Sequence, residues 1–121
     1  MPISDAESLV MDVLWERQSM TAEEVVQALE GRAAWQQATI RTLLNRLLKK
    51  KAVAAQRDGR RYLYRPLLKR TDYVHAESKS LLDRLFDGRI APMVAHFSAR
   101  QKLSRKEIAE LKRLIEKLDH E

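Results

Sequence analysis

The sequence predicts a mostly α-helical chain with one small β-hairpin, and three observations carry that expectation. The pattern Ser/Thr-x-x-Glu occurs at Ser4–Glu7, Thr21–Glu24 and Ser104–Glu107, each time ahead of apolar residues at helical spacing. Such a hydroxyl accepts from the third backbone N–H while the Glu reaches back to the cap, so each marks a helix start. Ile40, Leu43, Leu44, Leu47 and Leu48 form one stripe of a 3.6-residue period. Asp58-Gly59 sits between two β-prone runs, the signature of a tight hairpin turn of type I′.

The first helix is expected from Ser4 to Trp15, with Leu9, Val10, Val13 and Leu14 facing inward. The second is expected from Thr21 to Leu29, with Val25, Val26 and Leu29 inward and a stop near Gly31. The third runs from about Gln36 to Lys50. Its segment "ATIRTLLNRLLKKK", Ala38 to Lys51, holds five large aliphatics, five positive charges and no acid. A solvated helix face usually mixes acids with bases, because pairs at i,i+4 support the helix. A bare basic face points to a polyanionic partner instead.

The distribution of charge agrees. Residues 1–31 carry one base and seven acids, residues 32–70 twelve bases and one acid, and residues 71–121 ten bases and nine acids. The block that contains the third helix therefore carries +11, against −6 before it and +1 after it, for the net +6. The residue types on its outer face suit base edges: Arg forks onto guanine, Asn reads adenine and Thr touches a methyl or a phosphate. Gln36, Gln37, Thr39, Arg41, Thr42, Asn45 and Arg46 are the candidate reading set.

Val53–Arg57 and Arg60–Arg65 are the two expected strands, ended by Pro66. Arg57, Arg60 and Arg61 crowd the tip, placed to meet a phosphate backbone beside the basic helix, and Lys49 and Lys50 are expected to join them. The Lys49–Lys51 run also suits the helix dipole at its C-terminus. Three helices followed by a basic hairpin form the winged helix-turn-helix plan, in which the third helix enters the major groove. Residues 1–70 are thus expected to form a winged-helix DNA-binding domain. Trp35 suits either core packing or stacking on a sugar-phosphate, and Trp15 suits the core. Tyr62 and Tyr64 share one strand face opposite Leu63, and alternation alone leaves the buried side open.

Residues 71–121 read as a helical dimerisation region. A helix is expected from Thr71 to Asp87, with Tyr73, Val74, Leu81, Leu82, Leu85 and Phe86 apolar and Gly88 closing it. A short turn from Pro92 to Phe97 follows. The last helix starts at Ser104 and buries Ile108, Leu111, Leu114, Ile115 and Leu118. So short a segment cannot bury these stripes alone. They fold back on the winged domain or meet a second copy in an isologous homodimer.

Other classes find little support. There is no cysteine, hence no disulfide or thiolate site. His75, His96 and His120 are scattered, so no metal or cofactor is expected. No Gly-rich phosphate loop, HExxH or G-x-S-x-G appears, and an enzyme is not expected. No apolar run is long enough to span a bilayer, and the N-terminus lacks the features of a signal peptide, so the expected location is the cytoplasm. The competing class is a winged helix used only for protein interaction, whose usual mark is a neutral or acidic third helix.

The segments "ISDAESLVMDVLW", "TAEEVVQAL", "W-x-x-x-TIRTLLNRL-x-KK", "GRRYLYRPL" and "SLLDRLFDG", in this order, resemble the penicillinase-repressor (BlaI/MecI-type) transcriptional regulators. The resemblance implies a homodimeric repressor of the antibiotic-resistance type, bound to a palindromic operator in double-stranded DNA. It places residues 35–46 in the recognition helix and its lead-in, and Asp58-Gly59 in the wing. It further implies inactivation through a membrane sensor-protease, by a cut at an Asn–Phe bond before the last helix. The matching position is His96-Phe97, with Phe kept and Asn absent. Copper-responsive relatives carry C-terminal cysteine pairs, which this chain lacks.

Overall fold

The computed structural model describes residues 2–120 in the order α1 (Asp5–Arg17), α2 (Ala22–Ala28), α3 (Gln37–Lys49), β1 (Val53–Asp58), β2 (Arg61–Pro66), α4 (Arg70–Leu85), α5 (Ile90–Arg100) and α6 (Arg105–Asp119). Contacts divide the chain into two units, residues 1–74 and 75–121, and the division falls inside α4.

The first unit has a closed apolar core. Ser4 and Thr21 cap α1 and α2 with complete reciprocal boxes through Glu7 and Glu24. The boxes fix where each helix starts, and so which residues face inward. Val10, Met11, Val13 and Leu14 of α1 meet Val25 and Leu29 from the second helix and its cap. The α3 stripe completes the cluster with Ile40, Leu43, Leu44 and Leu47 buried, while Leu48 is only half-buried at its edge. Burying each such side chain contributes roughly 1.5–3 kcal/mol.

A left-handed residue closes α3. Lys51 adopts φ 61°, its N–H donates to the Leu48 carbonyl, and the Ala52 N–H donates to the Leu47 carbonyl. These are the two bonds of a Schellman ending, with lysine where glycine is usual. The chain then enters β1, which pairs antiparallel with β2 from Val53–Pro66 to Asp58–Arg61. The turn differs from the expectation by one residue. Asp58 and Arg61 pair, so Gly59 and Arg60 are its central residues. Only Gly59 has positive φ, at 65°, which is the type II′ pattern rather than I′. The single glycine at the first central position satisfies that turn without asking Asp58 to leave the ladder.

The other edge of β2 is occupied too. Met20, between α1 and α2, exchanges both backbone hydrogen bonds with Tyr64, at 3.0 and 2.7 Å. This settles the tyrosines. Tyr64 is half-buried against the core, and Tyr62, nearer the tip, is 51% exposed. Trp15 packs partly buried, its indole N–H donating to the Leu68 carbonyl at 2.8 Å. Its ring also lies 5.5 Å from that of Tyr73. Tyr73, expected at a dimer contact, is thus engaged within the first unit. Trp35 packs partly buried against the same core.

The second unit differs in kind. None of its described residues is buried. Where a turn was expected from Pro92 to Phe97, the structure has a helix of 11 residues, α5. Pro92 is its third residue, in the first turn, where a backbone N–H has no helical partner to lose. Ser104 caps α6 by accepting from the Glu107 N–H at 3.1 Å. No helix among the described residues is long and apolar enough to cross a membrane.

Candidate nucleic-acid interface

One helix in the first unit lacks the protection its neighbours have. α1 and α2 begin with acids in the first turn and a side-chain cap; α3 has neither, and its cap residue Gln36 makes no side-chain hydrogen bond. The N-terminus of α3 thus keeps its partial positive charge. Gln36, Thr39, Arg41, Thr42, Asn45, Arg46 and Lys49 are all exposed, and Gln37 is half-buried. The buried stripe of the same helix lies on its other face. The Thr42 hydroxyl donates back to the Ala38 carbonyl at 3.0 Å, so it presents its methyl and oxygen lone pairs outward.

The wing adds its own cations. Arg57, Arg60 and Arg61 are exposed. The Arg57 Nε donates to the Gly59 carbonyl at 3.1 Å, and Arg61 meets the Asp58 carboxylate at 3.4 Å, both on the surface. Arg41 of α3, Arg60 and Arg61 of the hairpin, Tyr62, Tyr64 and the start of α2 line a cleft of about 260 Å³. Positive groups of α3 and of the wing thus converge.

Lys50 does not join them. Its ammonium pairs with the carboxylate of Glu7 and donates to the Pro2 carbonyl at 2.9 Å. Glu7 is almost fully buried, and its second oxygen has no partner. Burial pushes the Glu7 carboxyl up. The Lys50 bond and the bonds to Ser4 outweigh this and hold it below the usual carboxylate range. The lysine therefore neutralises a buried acid instead of facing outward. Its partner lies 43 residues upstream, so no local pattern in the sequence could have disclosed the pair.

In the second unit, Val74's neighbours along α4 include Leu81 and Leu85, both exposed, while Leu82 and Phe86 are half-buried. On α6, Ile108, Leu114, Ile115 and Leu118 are exposed and Leu111 is half-buried. Val74 itself, which ends the first unit, is also exposed. His96 and Phe97 lie inside α5 rather than in a link. The His96 ring is 5.9 Å from that of Phe86 and 5.5 Å from that of Phe97.

Three packed helices, a two-strand hairpin and a basic outer face on the third helix define a winged helix-turn-helix protein. The chain belongs to the penicillinase repressor family, whose model matches residues 3–117. It is 39% identical to the penicillinase repressor of Bacillus licheniformis, over 94% of this chain and 89% of that one. It is 30% identical to the methicillin resistance regulatory protein MecI of Staphylococcus aureus, over 95% of this chain and 94% of that one. Among solved structures it is similar to the monomeric form of Bacillus licheniformis BlaI in complex with the blaP half-operator. There the TM-score is 0.53 and the identity 40%, over 60% of this chain and 89% of that one.

Proposed function

We propose that the chain is a cytoplasmic DNA-binding transcriptional repressor that acts as a homodimer on a palindromic operator. The observation that carries this is α3: a helix buried along one stripe and wholly free of acids along the other, with an uncapped N-terminus. An acid in that first turn would repel a phosphate; α1 and α2 both carry acids there, and α3 carries none. Family membership and the half-operator bound by a BlaI relative support the same reading.

In this reading Thr39, Thr42, Asn45 and Arg46 meet base edges, with Gln36, Gln37 and Arg41 at the entry of the helix. Lys49, Arg57, Arg60 and Arg61 hold backbone phosphates. Lys50 is reassigned to holding the end of α3 against α1 through Glu7. The exposed apolar positions of α4 and α6 form the dimer contact, which sets two reading helices one helical turn of DNA apart, about 34 Å. Release follows a cut at His96-Phe97 by a membrane sensor-protease or a protease it triggers. Because the pair lies in the middle of α5, the helix has to unwind locally before the bond is presented.

Gel shifts at low salt test the core of this reading. The full chain should retard random duplex, and should retard its operator at far lower concentration. A chain that retards no duplex at low salt would stand as a winged helix for protein contacts. Sedimentation at micromolar concentration tests the dimer, and a monomer there removes it.

A further inference from the structure

The cleft beside the wing is larger and more aromatic than a phosphate contact needs. Three guanidinium groups from two elements line it, and Glu23 is its one acidic wall residue. Compensation comes from the surface, where Arg61 meets Asp58 at 3.4 Å and acts on the exposed Glu24 at a distance, and no acid pairs with Arg41 or Arg60 among the described residues. Three like charges around one concavity repel one another in the free protein, and guanidinium forks match the oxygens of a phosphoryl or carboxylate group. Tyr64 is fixed at the base by its exchange with Met20. Tyr62, two residues earlier and half-exposed, adds a ring wall and a hydroxyl.

We propose that this cleft binds a small phosphorylated or carboxylated anion, held by Arg41, Arg60, Arg61 and the Tyr62 hydroxyl, and that its occupant competes with operator DNA. The competition rests on the reading of α3 and the wing as the DNA surface. An occupant neutralises one cation of α3 and two of the wing at once. The DNA then releases fewer counterions on binding, and affinity falls by more than ionic strength alone explains. Glu23 favours occupants that carry a hydroxyl or ammonium donor opposite the anionic group.

Inorganic pyrophosphate is a suitable probe, titrated into the DNA-free, isotope-labelled full chain at constant ionic strength. Saturable shifts confined to the amides of residues 21–23, 41 and 60–64 are expected. Tyr62→Phe keeps the ring and should weaken the probe about tenfold, the effect of one hydrogen bond to a charged group. The probe should also displace duplex at concentrations where sodium chloride of equal ionic strength does not. Shifts that never saturate, or that spread to the basic residues of α6, would overturn the site. Displacement no better than that by sodium chloride would overturn the competition. Weaker duplex binding by Tyr62→Phe with unchanged pyrophosphate binding would mean that the cleft seats only backbone phosphate, and would overturn the small-anion site. A chain that binds pyrophosphate here but no duplex sinks the DNA reading and leaves the site standing.

Discussion

The two units use similar apolar residues to opposite ends. In residues 1–74, most leucines and valines of the first three helices are buried in one cluster, and the rest pack partly buried against it. In residues 75–120, Leu85, Ile90, Leu114, Ile115 and Leu118 remain more than half exposed. Both regions are helical and both are periodic. The difference is that the first has α3 and a hairpin to close over its stripes, while the second has no buried side chain among its described residues. In the proposed homodimer a second copy would cover these stripes, so the first unit would carry its own stability and the second would depend on association.

The largest expected effect separates the two directly. A chain ending at His96 should keep its winged helix and its half-site affinity, yet lose about 10²–10⁴ in affinity for a full palindrome, because the second module no longer binds at high effective concentration. Fluorescence anisotropy on residues 1–96 and 1–121, with half-site and full-site duplexes, measures this. Equal full-site affinities would place control outside the last helix.

Core truncation gives the next contrast. Leu44→Ala should destabilise the first unit by about 2–5 kcal/mol, seen as a lower denaturation midpoint at any protein concentration. Leu118→Asp should leave that midpoint nearly unchanged for a monomer and instead abolish the concentration dependence of stability. A concentration-independent wild type would break the comparison.

Glu7 makes a prediction about pH. Its carboxyl lies below the usual range when folded, so its contribution is present above the unfolded value and is lost as pH falls through the folded one. Glu7→Gln should cost about 3 kcal/mol at neutral pH, since it leaves Lys50 partly buried without its acid, and should flatten the acid limb of the stability curve. An unchanged acid limb would show that the pair adds nothing.

Within α3 and the wing the effects become smaller and more specific. Arg46→Ala should relax base preference at about 1–3 kcal/mol per lost contact. Arg60→Ala should weaken all sequences alike and lower the salt slope by about one. Equal losses on specific and random duplex for Arg46→Ala would exchange these roles. Smallest of all, Lys51→Gly should raise stability by up to about 1 kcal/mol, by relieving the left-handed backbone at the end of α3.

Much of this was legible in the chain because its signals are local. The reciprocal caps at Ser4 and Thr21, the stripe of α3 and the Asp58-Gly59 hairpin all lie within a few residues of one another, and the structure shows each, with the turn moved by one position. What was missed depends on distant partners or weak punctuation. Lys50 meets an acid at the far end of the unit, Tyr73 finds Trp15, and Met20 decides which tyrosine is covered. α5 follows Arg89, which offers no side-chain cap, and carries a proline, so it shows neither start signal nor clean period. The exposed basic face of α3 was accessible to reasoning because charge without compensation is itself a pattern.

Along α3, the residues that hold the fold and the residues that face outward do not overlap. Ile40, Leu43, Leu44 and Leu47 belong to the first set; Thr39, Thr42, Asn45 and Arg46 belong to the second. Exposed substitutions of this sort usually change stability by no more than about 0.5 kcal/mol. A duplicated copy of this chain can therefore drift across the outer set one residue at a time, without any intermediate that fails to fold. With that outer set reading bases as proposed, new addresses on a genome become reachable by surface change alone, while the inherited interior stays as it is. The same separation marks this helix as the place to retarget the protein by hand.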